Sequence, residues 1–182
     1  MIKRHLPHNC HPNRPLEAVD GAVVHFVSDR WRHPDDPYNL GHIYGLMVEG
    51  GLSYHVVFPR EGSPVEFLPS HLEAWHAGYS RMNGRDYCNG WTRGVALVGH
   101  PGEPYTDDQI VHLGKYLAQD MSTHQYTTDW IKGHDEVRRA WNERYPSRPA
   151  EAKHDPGELF PWGMLFDMLQ GVDLAVRRVD HD

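Results

Sequence analysis

The run Ala22-Val23-Val24-His25-Phe26-Val27, bounded by Gly21 and by Ser28-Asp29, decides the fold class. β-Branched and aromatic residues fill it without polar alternation, which predicts a short strand buried on both faces. His25 lies inside that strand. A lone histidine in an apolar strand is ordinarily a hydrogen-bonded core residue, so His25 alone announces no chemistry.

Working outward, Gly94-Val95-Ala96-Leu97-Val98-Gly99 repeats the apolar pattern and predicts a second strand. Ser53–Phe58 and Val65–Leu68 are β-rich and separated by Pro59-Arg60-Glu61-Gly62-Ser63-Pro64, turn chemistry that predicts an antiparallel hairpin. Ile110, Leu113, Gly114, Leu117, Ala118 and Met121 keep the rhythm of one buried helical face, and Thr106 with Gln109 forms a capping box ahead of it. Further helices are expected over 135–144 and 158–169, with Pro146 and Pro149 breaking the chain between them. Residues 1–20 read as an extended lead-in without regular structure. Residues 29–51 read as a loop excursion with a short helix at 40–48, and 171–182 as a helical remnant or frayed tail. With no internal repeat or linker, one domain over 1–182 is expected, its core spanning about 22–170.

Composition narrows the function. The 182 residues carry 18 Lys and Arg against 25 Asp and Glu, a net charge of −7, which excludes the broad basic face that nucleic-acid binding requires. A mean hydropathy of −0.67, with no apolar run near the ~18 residues of a membrane span, argues for a chain without one. Met1-Ile2-Lys3-Arg4-His5 leads into Pro7 and His8 without an apolar segment, so no signal peptide is expected and synthesis is placed in the cytoplasm. Cys10 and Cys88 are too few and too far apart in sequence for a disulfide framework, and each is expected as a free thiol. The unusual count is 15 histidines, of which a metal site would use two or three.

Two segments stand out among them, Gly133-His134-Asp135-Glu136-Val137 and Lys153-His154-Asp155-Pro156-Gly157. Taken singly, a histidine ahead of a helix is a cap-region or surface residue, and an aspartate before Pro-Gly is a turn residue. Taken with His25, two imidazoles and a carboxylate are the ligand set of an open zinc site with a fourth position for water.

Read in order, V-V-H-F-V-S, S-Y-H-V-V-F-P-R-E-G, A-W-H-A-G, R-G-V-A-L-V-G, Y-T-D-D-Q-I-V-H-L, G-H-D-E-V and K-H-D-P-G-E-L-F-P-W closely resemble the zinc-dependent N-acetylmuramoyl-L-alanine amidases. That family includes phage lysozyme-type amidases, bacterial recycling amidases and the animal peptidoglycan recognition proteins. The resemblance covers about Ala22 to Trp162. It implies an α/β fold, a central mixed β-sheet flanked by helices, and one zinc ion (Zn2+) on His25, His134 and Asp155. It also implies assisting roles for Tyr54 and Lys153, and a substrate groove lined by the block that holds Trp75 and His76. Asn89, in the loop before the central strand, joins them as a residue able to hydrogen-bond substrate. The ordinary alternatives are a core Trp75, a His76 bonded to a loop, a solvated Lys153 and a core Tyr54.

Two departures bear on mechanism. Phe26 stands where many members carry a second histidine or a small polar residue. Val95-Ala96-Leu97 stands where recycling-type members carry a glutamate, which shifts the burden toward Tyr54 and Lys153 and favours the phage-like variant. The expected activity is hydrolysis of the bond between N-acetylmuramic acid and L-alanine, on peptidoglycan or a muropeptide, by a monomer that reaches the wall through a pore. The alternatives are an intracellular recycling amidase and a non-catalytic peptidoglycan-binding module, whose members typically lose a zinc ligand.

Overall fold

A computed structural model describes residues 1–7 and 11–179. Cys10, expected as a free thiol, lies outside the described residues; Cys88 is free and buried. Among the described residues eight strands and four helices follow in this order: β1 (Ile2–Lys3), β2 (Ala22–Val27), α1 (Leu40–Gly50), β3 (Val56–Phe58), β4 (Val65–Glu66), β5 (Arg81–Met82), β6 (Arg85–Asp86), β7 (Arg93–Val98), α2 (Asp107–His124), β8 (Ile131–Gly133), α3 (His134–Arg144) and α4 (Trp162–Val179). Six strands form one sheet in the order β1-β4-β3-β7-β2-β8, and β5 and β6 form a separate hairpin. β2 pairs in parallel with both β7 and β8, whereas β3 meets β4 antiparallel, so the sheet is mixed as the resemblance implied. Among the described residues no helix is long and apolar enough to cross a membrane.

Apolar residues cover both faces of the sheet. On one face Val24, Val95, Leu97 and Phe58 pack under α2, whose Ile110, Leu113, Leu117 and Met121 are fully buried, and α4 adds Leu165 and Leu169. Each such side chain contributes about 1.5–3 kcal/mol by leaving water. The other face sets Val27, Val57, Ala96 and Val98 against Ile43 and Met47 of α1 and against Tyr54. His25 shares that second face, because side chains alternate along a strand and Val24 points the opposite way.

Caps hold the helices in place. Thr106 and Gln109 form the capping box of α2, and the Gln109 amide also donates to the Phe58 carbonyl (3.0 Å) and the Val98 carbonyl (2.9 Å), fastening the helix to two strand ends. Asn39 caps α1 by accepting from Gly41 N–H at 2.7 Å.

At the opposite end of β7 lies a buried ionic centre. Arg93 donates to Asp120 Oδ1 at 3.0 Å and to the Ser70 carbonyl at 3.0 Å, and Tyr126 donates to Asp120 Oδ2 at 2.9 Å. Arg14 beside them donates to the Thr92 carbonyl at 2.7 Å.

Three sequence expectations change. Ile2–Lys3 forms a strand against β4, and Leu16–Ala18 a short 3-10 turn, within the lead-in expected to lack regular structure. The last helix begins at Trp162 rather than Glu158 and continues to Val179, so most of the expected tail is helix. Its late start follows from Pro156 and Pro161 and from the turn that Phe160 N–H makes on the Gly157 carbonyl at 3.2 Å. The hairpin β5–β6 falls in a stretch read as loop.

Candidate metal centre

His25 arrives from the middle of β2, His134 is the first residue of α3, and Asp155 comes from the loop before α4. Their ligating atoms all lie within 4.8 Å of one another. His25 Nδ1 is 2.7 Å and His134 Nδ1 is 3.1 Å from the same oxygen, Asp155 Oδ2.

Backbone contacts hold the Asp155 loop independently of those side chains. The Asp155 carbonyl accepts from Asp135 N–H at 3.0 Å, and the Pro156 carbonyl accepts from the Tyr105 hydroxyl at 2.6 Å. Gly133 makes room for this approach, since a Cβ there would stand 2.8 Å from Pro156 Cδ. The glycine of the G-H block therefore lets the D-P-G block reach the head of α3.

Burial decides the charge states. His25 is wholly enclosed, which lowers its pKa to about 4 and leaves the ring neutral at neutral pH. Burial would raise Asp155, but the closeness of His134 and His25 outweighs it and holds the group well below the usual carboxylate range. A carboxylate thus faces a neutral imidazole from β2. With His134 neutral and its outer nitrogen, Nε2, donating to the Ala77 carbonyl at 3.3 Å, Nδ1 turns a lone pair toward an acceptor oxygen. Two such atoms have no proton to share and are complementary to a cation.

Tyr54 lies on the same side of the sheet, its ring centroid 4.9 Å from that of His25. Burial pushes its phenol up, so the group stays protonated, and its hydroxyl has no hydrogen-bond partner among the described residues. Lys153 is about one-third exposed, with Glu151 near its ammonium at 4.0 Å. Together with Asp135, Arg139, Asn142, His154 and Trp162 it borders a groove of about 1200 Å³ on the flank of the Asp155 loop, beside the three clustered residues rather than over them.

The residues expected to line a substrate groove sit elsewhere. His76 is only 8% exposed, with Nδ1 3.0 Å from His25 Nε2, on the far side of that ring from Asp155. Asn89 spends its side-chain oxygen on the N–H groups of His76 (3.2 Å) and Ala77 (2.7 Å). Trp75 is half-buried and packs on His11, ring centroids 4.7 Å apart. His76 and Asn89 thus turn these polar atoms toward the back of the cluster. A block such as A-W-H-A-G records proximity to the site but not the side of His25 on which it lies.

Sequence reasoning missed Arg138. Its guanidinium donates to the carbonyls of Tyr79 (2.7 Å), Glu151 (2.7 Å) and Ala77 (3.1 Å), joining the two loops that border the cluster. Its position four residues after His134 on one helix face was the available signal. Ala96 is the register partner of His25 across the β2–β7 pair, so the slot beside the histidine holds a methyl group and no carboxylate.

The sequence and the fold are similar to those of known proteins. The family model described as N-acetylmuramoyl-L-alanine amidase matches residues 14–158. The 1,6-anhydro-N-acetylmuramyl-L-alanine amidase AmpD of Haemophilus influenzae is 32% identical over 81% of this chain and 72% of its own length. The AmpD of Enterobacter cloacae is 32% identical over 65% of this chain, and the match spans only 57% of that protein. A crystal structure of a Se-Met AmpD derivative superposes with a TM-score of 0.72 at 25% identity, covering 92% of this chain and 94% of that one. The AmiD amidase of E. coli, in complex with the substrate anhydro-N-acetylmuramic acid-L-Ala-D-gamma-Glu-L-Lys, shares the fold with a TM-score of 0.65 at 20% identity, over 85% of this chain and 58% of that one.

Proposed function

Because the chain belongs to the N-acetylmuramoyl-L-alanine amidase family, we propose that it hydrolyses the amide joining the lactyl group of N-acetylmuramic acid to L-alanine. The observation that carries this reading is the convergence of His25, His134 and Asp155 within 4.8 Å, two imidazole nitrogens and a carboxylate oxygen. That donor set suits zinc with one position left open. Zinc held there supplies a polarised carbonyl and a water acidified toward neutral pH.

The chain's own residues supply the rest. Asp155 remains ionised and His25 neutral, the states in which each can ligate. Tyr54, protonated and beside His25, donates a hydrogen bond to the oxygen that gains charge as the carbonyl is attacked. Lys153, two residues from Asp155, places a positive charge on the same rim and orients an anionic part of the substrate. Ala96 offers no proton acceptor beside His25, so Tyr54 and Lys153 carry the burden that a carboxylate there would share. The substrate is a peptidoglycan fragment. Similarity to AmpD favours soluble 1,6-anhydro-muropeptides, whereas a chain with Tyr54 and with an alanine, Ala96, beside His25 favours intact wall and an endolysin-like, bacteriolytic role.

The test is to incubate the protein with intact sacculi and, separately, with soluble anhydro-muropeptides. Expected are stem peptides with new L-alanine amino termini and no new reducing sugar ends, abolished by chelation and restored by zinc; the faster substrate identifies the setting. New reducing ends without amino termini, or binding of fragments without turnover, would overturn the assignment.

A further inference from the structure

The dipeptide His76-Ala77 touches the outer nitrogens of both histidines in the cluster. Ala77 does so with its carbonyl, which accepts from His134 Nε2 at 3.3 Å. His76 does so with its ring, whose Nδ1 is 3.0 Å from His25 Nε2. A contact between two imidazoles leaves open which ring owns the proton, and the next links in the chain decide it. His76 Nε2 is 3.4 Å from Thr92 Oγ1, and the Thr92 hydroxyl donates to the Cys88 carbonyl at 2.7 Å. A carbonyl can only accept. With its proton committed there, Thr92 accepts from His76 Nε2–H, His76 Nδ1 is left bare, and it accepts from His25 Nε2–H. The inner nitrogen of His25 is then a lone pair aimed at Asp155.

Two further features build this arrangement in. Asn89 Oδ1 clamps the backbone N–H groups of both residues of the dipeptide. Gly94 provides the flat bed on which the His76 ring lies, because a Cβ at that position would meet His76 Cγ at 2.5 Å and Cδ2 at 2.7 Å. Those are the stiff inner atoms of the ring, with no flexible end to swing away.

From this geometry we infer that His76 is a positioning residue, which fixes His25 as its Nε2–H tautomer and so presents Nδ1 to the metal, with the His76-Ala77 dipeptide performing this service for both ligand histidines. The inference rests on the zinc reading above and gives the A-W-H-A-G block a task behind the metal. Without an acceptor at His76, the proton of His25 can settle on Nδ1 against Asp155 Oδ2, only 2.7 Å away, and close the ligating position. Outer partners of this kind commonly change metal affinity about 10–100-fold.

The test measures zinc affinity by chelator competition in the full chain and the tautomers by 15N-histidine NMR of the zinc-loaded wild type. His76→Leu, which removes both ring nitrogens, is expected to weaken zinc binding about 10–100-fold. His76→Asn, whose amide oxygen can accept near the position of Nδ1, is expected to recover most of that loss, and Gly94→Ala, which displaces the ring, to behave like His76→Leu. In the wild type the His76 signals are expected to report a neutral Nε2–H ring. Unchanged affinity in His76→Leu, failure of His76→Asn to improve on it, or a wild-type His76 protonated at Nδ1 would overturn the inference. The NMR result decides the matter even where a variant does not fold. A wild-type protein that takes up no zinc would instead overturn the functional reading, a separate and earlier failure.

Discussion

Two buried polar centres lie along β7, and they differ in how their hydrogen bonds close. At the N-terminal end, Arg93, Asp120 and Tyr126 form a centre in which donors meet acceptors: guanidinium to carboxylate at 3.0 Å and phenol to carboxylate at 2.9 Å. Beside Ala96, lone pairs converge: with His134 neutral and donating from Nε2, its Nδ1 and Asp155 Oδ2 are two acceptors 3.1 Å apart. Both centres are buried, and both hold charged or titratable groups. Burial of polar groups therefore does not mark a functional site here; the unclosed account of donors and acceptors does. The first centre is complete as a piece of architecture, while the second is complete only with a cation.

The sharpest way to break that contrast is to remove a ligand. Asp155→Ala is expected to abolish stoichiometric zinc and lower kcat/KM by more than about a thousandfold, exceeding the ~10²–10³ typical of one lost oxyanion donor. Metal analysis and product assay check it; full zinc retention in the variant would collapse the distinction. Asp120→Ala should do the opposite. It leaves Arg93 buried without its partner and is expected to cost about 3–5 kcal/mol of folding stability, read from denaturant midpoints, with zinc stoichiometry unchanged.

Tyr54→Phe and Lys153→Ala probe the rim of the second centre. Each is expected to keep zinc and fold while lowering kcat about 10²-fold, or roughly 2.7 kcal/mol of transition-state stabilisation. Near wild-type kcat in both would confine the chemistry to the three clustered residues. The smallest effect is on pH dependence. In the folded, metal-free protein His25 titrates at about 4, below the ordinary 6.5, so the unfolded chain takes up a proton first as pH falls. Stability is complete above about 6.5 and declines toward 4, by about 2 kcal/mol at pH 5 from this group. Urea midpoints at pH 7.5 and 5 measure it, and His25→Gln should flatten that part of the profile.

Much of the frame was legible in the sequence because it obeys short-range rules. The apolar run of β2, the capping box of α2 and the Pro-Gly turn between β3 and β4 each declare themselves within a few residues. β8 and the β5–β6 hairpin did not, since strands of two or three residues rich in Arg, Asp and Lys carry no period. The end of α4 was readable in principle: Leu165, Leu169, Val172 and Val176 keep the helical spacing, but Gly171 and the flanking charges obscured it. The grouping of His25, His134 and Asp155 came through family resemblance, because no spacing rule joins residues on β2, α3 and a loop. The side of His25 on which His76 lies depends on how the 74–78 loop folds back over β7, which is a tertiary fact.

The Asp155 loop is tied at the carbonyls of Asp155 and Pro156, to Asp135 N–H and to the Tyr105 hydroxyl, before any cation arrives. Metal uptake then has little chain left to order, and ordering a single backbone residue costs about 1–2 kcal/mol. In calorimetric terms, zinc should bind with a small conformational-entropy penalty and little change in heat capacity. Amide exchange across residues 151–158 should be nearly as slow in the empty protein as in the loaded one. The loop behaves as a socket already set in its final shape, and the cation as the last part fitted to it.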